Sequence, residues 1–253
     1  MLRSLRLPVA MAFAVTGGLA PAQDLSFCYD PYPPYTLIDE AGEGAVEGIK
    51  VRILEAVLAR IEGVSAEVTL LPWQRCQSSV RIGDIDGILP LFANDDRRSY
   101  MVFTTDVLEE TAVFWFKPAR FPDGLPWTGD FAEVARLQLG MLRGGYIDGD
   151  MQAAFTAQGG ITRGPSVEAL FQMLYHGRID LVATDRWVGE HYRAKLGMQQ
   201  DLDFAVPPIA TKHSQFGLSR VTGADRYLEA FNRAITTLRA EGRIEEIARE
   251  IGR

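Results

Sequence analysis

The sequence lacks the motifs that mark the common classes of metalloprotein and enzyme. Its 253 residues include only 3 histidines, and these share no ligand spacing with each other or with a cysteine, so we expect no metal site. No glycine-flanked nucleophile serine, Walker-type phosphate loop or dinucleotide fingerprint is present, and we expect neither a cofactor nor catalysis. The histidines are His176, His191 and His213.

Cysteine is scarce as well. Cys28 and Cys76 are the two cysteines of the chain. An even pair in an oxidising compartment predicts a disulfide between them, and two buried thiols are the alternative.

Apolar runs long enough to span a membrane are absent after the first stretch of the chain. Arg3 and Arg6 precede an apolar run over residues 7–15, and the small-residue site Ala20-Pro21-Ala22 follows it, which is typical of a cleaved signal peptide. The run is shorter than the roughly 20 residues of a membrane-spanning helix, which argues against a membrane anchor. We therefore expect a signal peptide over residues 1–22 and a periplasmic location for the rest.

Basic residues are also fewer than acidic residues. Lysine and arginine number 26 against 33 acidic residues, so the formal charge is −7. Loss of the two leader arginines would make the charge of the mature chain −9. This balance argues against nucleic acid and anionic membranes as partners.

Strand-like and helix-like segments alternate through the mature chain, which is typical of a parallel sheet with helices on its faces. The predicted strands are Leu25–Cys28, Ala66–Leu71, Ile85–Leu91, Thr111–Lys117, Leu137–Leu142, Ile179–Ala183 and Phe204–Ile209. The predicted helices are Ile49–Ile61, Trp73–Val80, a short one that starts at Asn94–Asp96, Ser166–His176, Tyr227–Leu238 and Ile244–Ile251.

Aromatic side chains follow the ends of the first three strands, where open α/β sheets bind ligands. Tyr32 and Tyr35 flank a proline-rich turn, Trp73 follows the second strand and Phe92 follows the third. Such rings can stack on an apolar or cationic ligand. Packing in the core is the alternative.

Opposite charges occur at comparable places in the two halves. Arg97 or Arg98, in a short helix after the third strand, could pair with a carboxylate, or could simply be solvated at the surface. Asp185 follows the strand Ile179–Ala183. It could accept hydrogen bonds from an ammonium group or cap the next helix.

These segments together resemble family 3 of the periplasmic solute-binding proteins, the polar amino-acid binders of ABC transporters, over essentially the whole mature chain. Tyr32-Pro33-Pro34-Tyr35 resembles the family's aromatic turn, and Gly48-Ile49 resembles its glycine signature. Lys50 and Arg52 replace the usual acidic residues of that signature.

The resemblance also assigns roles to the charged residues. In the family an arginine binds the ligand's α-carboxylate; spacing back from Phe103 selects Arg97 and spacing forward from Asp86 selects Arg98, and we choose Arg97. The stretch Gly177–Asp185 is similar to the strand whose last aspartate holds the α-ammonium group, which implies that role for Asp185.

A glycine turn resembles another part of the family site. Backbone N–H groups of such a turn also bind the carboxylate, which implies this role for Gly145 and Tyr146. The hydroxyl-bearing residues that often precede the arginine are replaced by Leu89–Phe92. Pro72-Trp73-Gln74-Arg75 is similar to a Pro-Trp-x-Arg motif in a less characterised branch, so no amino acid is named as the ligand.

The resemblance implies an α/β fold of the periplasmic-binding-protein type, with two lobes, a ligand cleft and two crossing segments near Glu109–Thr111 and Ala205–Ile209. We expect lobe one over residues 23–111 and 210–253, and lobe two over residues 112–209. The implied function is that of a monomeric, non-enzymatic binding component that captures a small zwitterion and delivers it to an inner-membrane ABC permease.

Two other functions remain open. One is an enzyme on the same fold, a dehydratase or lytic transglycosylase, for which Asp185 or Glu109 would be the crevice acid. The other is a binding module that signals to a membrane receptor as a sensor partner.

Overall fold

The computed structural model describes residues 23–38, 45–143 and 149–251. The strands in these residues are β1 (Gln23–Tyr29), β2 (Leu37–Ile38), β3 (Val46–Glu47), β4 (Val64–Leu70), β5 (Gly87–Leu91), β6 (Met101–Phe103), β7 (Leu108–Phe116), β8 (Leu139–Leu142), β9 (Ile161–Gly164), β10 (Leu181–Asp185), β11 (Asp203–Phe204) and β12 (Ala210–Ser219).

Helices alternate with these strands through most of the chain. They are α1 (Ile49–Leu58), α2 (Trp73–Ile82), α3 (Asp95–Arg98), α4 (Phe131–Val134), α5 (Gly149–Gln158), α6 (Val167–Tyr175), α7 (Arg186–Lys195), α8 (Leu228–Ala240) and α9 (Arg243–Ile251), with single 3-10 turns at Pro118–Arg120 and Ala224–Tyr227. No helix in the described part of the chain has the length and apolar character needed to span a bilayer.

Ten of the described strands form one sheet in the order β4-β1-β5-β12-β7-β10-β8-β9, with β6 beside β12 and β11 beside β7. β1 is parallel to β4 and β5 at one end of this path, and β8 is parallel to β9 and β10 at the other. The two parallel groups are the sheets of two α/β lobes, as the alternation of strands and helices predicted.

Two antiparallel strands connect the lobes. Residues Ala210–Ser214 of β12 pair with Leu108–Ala112 of β7, and the later residues of β12 pair with β5 of lobe one. The later residues of β7 pair with β10 of lobe two. The fold is therefore two α/β lobes joined by two crossing strands, with the cleft between them.

The return strand begins later than the sequence predicted. Of the expected strand Phe204–Ile209, only the start is found, as β11, and the long strand runs from Ala210. Pro207 and Pro208 lack the N–H groups that would extend a ladder there. β12 itself escaped prediction because its first half, ATKHS, has no alternation of apolar and polar side chains.

The first helix forms where its apolar residues recur with helical spacing. Ile49, Ile53, Leu54 and Val57 are all buried, and they form the stripe by which the helix packs on the core. Gly48 is the N-cap with φ of 119°, a conformation that favours glycine.

A disulfide fixes the end of the first strand to the second helix. Cys28 in β1 and Cys76 in α2 are joined at an S–S distance of 2.02 Å, and both are fully buried. The predicted bridge is therefore present, and it lies within lobe one beside the residues of the cleft.

Candidate functional site

The lobe-one wall of the cleft begins with the proline-rich turn. The rings of Tyr32 and Tyr35 stack with centroids 5.8 Å apart, and Tyr35 is fully buried. A side chain on Gly48 would place its Cβ 2.4 Å from the Tyr35 carbonyl oxygen. Glycine is therefore required where helix α1 meets the turn.

A lysine lies behind this turn. Lys50, in the first turn of α1, is fully buried, and its Nζ is 2.9 Å from a carboxylate oxygen of Glu110 on β7. Nζ also donates to the Tyr29 hydroxyl at 2.9 Å and lies 4.5 and 4.8 Å from the ring centroids of Tyr29 and Tyr35. An ion pair thus connects lobe one with a crossing strand.

Asp185 ends β10 of lobe two and is buried. One of its oxygens accepts hydrogen bonds from the Tyr35 hydroxyl at 2.9 Å and from the N–H groups of Trp187 and Val188 at 2.8 and 3.3 Å. The other accepts from the Thr111 N–H at 3.0 Å. The same carboxylate caps α7 and contacts the opposite lobe.

These buried charges change the protonation of their neighbours. Burial and, next, the Glu110 carboxylate raise the pKa of Asp185 to about 7. Burial raises the pKa of Tyr29 to about 12. Burial by itself would lower the pKa of Lys50, but Glu110 and Tyr29 outweigh it, so this pKa lies above its ordinary value and the lysine is cationic.

Helix α3, which carries Arg97 and Arg98, lies beside Trp73 and Tyr29. Arg97 is half-buried, and its guanidinium carbon is 5.1 Å from the ring centroid of Trp73, which in turn packs on Tyr29 at 5.4 Å. The guanidinium donates to the Phe92 carbonyl at 2.5 Å and to the Gln77 side chain at 3.2 Å. Burial lowers the pKa of Arg97.

Arg98 has a different environment. It is exposed, and its guanidinium carbon lies 5.2 Å from the ring centroid of Phe103. Of the two arginines that sequence spacing left open, Arg97 is the one beside Trp73 and Tyr29.

Most of the predicted binding residues lie in two adjoining groups. Trp73 and Arg97, with the Phe92 carbonyl, form one group, and Tyr32, Tyr35 and Asp185 form the other. Tyr29 and Lys50 connect the groups. Among the described residues Arg97 and Asp185 make no ion pair with each other, and the predicted Gly145 and Tyr146 lie outside the described residues.

Sequence reasoning overlooked the buried pair Lys50 and Glu110. The signals were present, since Lys50 lies within the apolar stretch of α1 and Glu110 falls between two apolar residues at alternate positions of β7. Of the two acids named for the enzyme alternative, Glu109 is exposed, and its carboxylate lies 3.6 Å from the His213 imidazole. Glu110 and Glu109 therefore point to opposite sides of the strand.

No group of His, Cys, Asp and Glu side chains within the described ranges is arranged to hold a metal ion. What the arrangement can do is bind. Lys50 and Glu110 pair with each other, so the charged groups left for a ligand are the Arg97 guanidinium and the Asp185 carboxylate. Together they offer partners to a ligand that carries both signs of charge.

The sequence model of the bacterial extracellular solute-binding proteins, family 3, matches residues 25–252. No curated protein sequence matches the chain significantly.

Solved structures share the fold at low sequence identity. A histidine kinase sensor domain with similarity to periplasmic binding proteins is 19% identical with a TM-score of 0.72, over 90% of this chain and 95% of that one. The substrate-binding protein AbpA of an amino-acid ABC transporter from Streptococcus pneumoniae, bound to L-arginine, is 16% identical with a TM-score of 0.71, over 90% and 94%.

A third structure extends the comparison. The GluR0 ligand-binding core in complex with L-glutamate is 15% identical with a TM-score of 0.74, over 91% of this chain and 99% of that one. These likenesses establish the periplasmic-binding-protein-like fold.

Proposed function

The chain belongs to family 3 of the bacterial extracellular solute-binding proteins, and from this membership we infer that it is the periplasmic binding component of an ABC transporter. It captures a small amino-acid-like zwitterion by closure of its two lobes and passes it to an inner-membrane permease. It acts as a monomer, after removal of residues 1–22, by stoichiometric binding rather than turnover.

The observation that carries this proposal is the hydrogen bond from the Tyr35 hydroxyl of lobe one to the Asp185 carboxylate of lobe two, at 2.9 Å. It brings the buried aspartate against the aromatic wall of the other lobe. A ligand ammonium would replace the hydroxyl there, and it would meet a carboxylate in a site of low dielectric, where such a bond is strong.

The opposite end of the ligand would bind at Arg97. Its guanidinium lies beside the Trp73 ring and donates to the Phe92 carbonyl and the Gln77 side chain, which leaves donors for a carboxylate. Gly145 and Tyr146 would add backbone N–H groups to the same carboxylate. Tyr32 and Tyr35 would cover the body of the ligand.

Closure would proceed by a hinge motion at the crossing strands. We place lobe one at residues 23–111 and 210–253 and lobe two at residues 112–209. Closure buries both charged walls, so a ligand that lacks either its carboxylate or its ammonium leaves one charge unpaired and binds poorly. The L-arginine in AbpA and the L-glutamate in the GluR0 core are zwitterions of this kind.

Calorimetry on refolded, ligand-free protein tests the proposal. Arg97→Ala and Asp185→Ala should each weaken binding of the best amino-acid ligand by roughly 2–5 kcal/mol, because each leaves a buried charge without its partner. Arg98→Ala, which removes the exposed neighbouring arginine, is the matched control and should bind as wild type does. Absence of binding by every amino acid and related zwitterion would refute the proposal.

A sensor role is the second candidate, and the likeness to a histidine kinase sensor domain at a TM-score of 0.72 favours it. Ligand capture would be the same, but the closed form would contact a receptor in place of a permease. Ligand-dependent co-purification with the permease or with a receptor kinase would distinguish the two.

A further inference from the structure

Lys50 is a fully buried cation whose ammonium group contacts other groups of the protein. Its Nζ lies 2.9 Å from the Glu110 carboxylate and 2.9 Å from the Tyr29 hydroxyl, and two phenol rings cover its remaining side. An ammonium group has three donors. The contacts of Lys50 therefore leave little for a ligand to bind.

This lysine is adjacent to the proposed ammonium site. The Tyr35 ring centroid is 4.8 Å from Lys50 Nζ, while the hydroxyl of the same ring donates to Asp185. Glu110 precedes Thr111, whose N–H also donates to Asp185. The two carboxylates therefore lie close together, and Glu110 contributes to the raised pKa of Asp185.

The charges of this buried group can be counted. When ionised, Glu110 and Asp185 carry two negative charges; Lys50 pairs with Glu110, and among the described residues no cation pairs with Asp185. The cluster therefore lacks one positive charge, which a single ligand ammonium would supply. A second cation on the ligand would find the charge of Glu110 already balanced.

We propose that Lys50 is a specificity-determining residue, which through its ion pair with Glu110 restricts the cleft to amino-acid-like zwitterions whose side chain carries no charge. The inference rests on the proposed function and adds the class of ligand. The inference depends on the position of Lys50 between Tyr29, Tyr35 and Glu110, where the Tyr35 ring separates it from Asp185.

Both kinds of charged side chain are disfavoured for a physical reason. A basic side chain, once enclosed, would be a buried cation without a free carboxylate. An acidic side chain would meet Glu110 and Asp185, and Lys50 is already paired with Glu110. A buried charge without a partner is strongly unfavourable, whereas an uncharged side chain carries no such penalty.

The first test needs only the wild-type protein. Refolded, ligand-free protein is titrated by calorimetry with the uncharged amino acids and with L-arginine, L-lysine and L-glutamate. The best uncharged amino acid should bind at least about 100-fold more tightly than each charged one, in line with the penalty for an unpaired buried charge. A charged amino acid that binds as tightly as the best uncharged one would overturn the inference and leave the proposed function intact.

Variants then test whether Lys50 itself sets the preference. In Lys50→Gln the Glu110 carboxylate loses its cation, so L-arginine or L-lysine should gain at least about 10-fold relative to the best uncharged ligand. Lys50→Gln combined with Glu110→Gln should abolish this gain, because no extra carboxylate remains. Lys195→Gln, at an exposed lysine paired with Glu168, is the matched control.

The outcomes separate the two proposals. An unchanged ratio between basic and uncharged ligands in Lys50→Gln would overturn the role of Lys50. If Lys50→Gln does not fold, Glu110→Gln tests the same ion pair: it leaves Lys50 without its carboxylate, so L-glutamate should gain relative to the best uncharged ligand, and an unchanged ratio would overturn the role of Lys50. If no amino acid binds the wild type, the proposed function and this inference both fall.

Discussion

The carboxylate of Asp185 is surrounded by four protein donors: the Tyr35 hydroxyl and the N–H groups of Thr111, Trp187 and Val188. These donors favour the ionised form, but burial and the neighbouring Glu110 oppose it more strongly, so its pKa rises to about 7. At the scale of single residues the site therefore holds a carboxyl group that gains a proton near neutral pH.

This shift predicts a pH dependence of stability. The pKa of Asp185 is about 7 in the folded protein and about 4 in an unfolded chain, so between these values the folded state binds more protons. The contribution of Asp185 to the free energy of unfolding is then fully present below pH 4 and is lost as the pH rises through 7.

Asp185→Asn removes this titration while it keeps a side chain that can cap α7. Between pH 4 and 7 the free energy of unfolding of wild type, measured by urea denaturation, should fall relative to that of the variant by at most about 1.4 kcal/mol per pH unit. Asp130→Asn, which alters an exposed helix cap, is the comparison. Parallel pH profiles for wild type and Asp185→Asn would contradict the assignment.

At the scale of elements, the disulfide ties β1 to α2, and both carry cleft residues. Tyr29 is the last residue of β1 and Trp73 is the first of α2, and their rings pack at 5.4 Å. The bridge between Cys28 and Cys76 lies next to this contact in both elements. It therefore supports the surface on which Arg97 rests.

Removal of the bridge should reduce stability. The cysteines are 48 residues apart, and a cross-link over such a loop is worth about 4 kcal/mol through its restriction of the unfolded chain. Cys28→Ala combined with Cys76→Ala should lower the free energy of unfolding by up to this amount, as measured by urea denaturation. A reducing agent should destabilise the wild type and leave the double variant unchanged; equal responses would show that the bridge does not form.

At the scale of the whole molecule, polar contacts between described residues join the two lobes besides the crossing strands. The hydrogen bond between Tyr35 and Asp185 is one of them, and it lies beside the ion pair of Lys50 and Glu110. In the proposed mechanism, a closed form that uses the protein's own hydroxyl competes with the ligand-bound form. The affinity for ligand then depends on how easily this contact opens.

Loss of the contact should therefore shift the ligand-free protein towards an open form. A compact chain of about 230 residues has a radius of gyration of about 17 Å. In small-angle X-ray scattering, the radius of gyration of ligand-free Tyr35→Phe should exceed that of the ligand-free wild type. Tyr227→Phe, which removes an exposed hydroxyl outside the cleft, is the control, and identical radii for wild type and Tyr35→Phe would exclude a role for the hydroxyl in closure.

Much of this architecture was predictable because it depends on local pattern. The apolar spacing of α1, the glycine at its start and the strand that ends at Asp185 each express short-range rules of periodicity and capping. The crossing strand β12 was not predictable in this way, since its first half owes its strand conformation to pairing with β7 rather than to an apolar alternation of its own.

The residues of the candidate site likewise fall into those that the sequence predicts and those that only the structure identifies. The aromatic turn and the aspartate follow strand ends that are recognisable from the sequence. The choice between Arg97 and Arg98 required the packing of α3, which places only Arg97 over Trp73. Glu110 could be recognised only from the structure, in which its side chain on β7 points inward and that of Glu109 points outward.

The sequence by itself determined the α/β class and much of the order of the elements, because these follow from interactions between residues near each other in the chain, and its motifs indicated the family. Only the tertiary structure decided which charges are neighbours. Lys50 lies 60 positions from Glu110, and Tyr35 lies 150 positions from Asp185. Coulombic and hydrogen-bond energies depend on distance in space, and folding sets those distances.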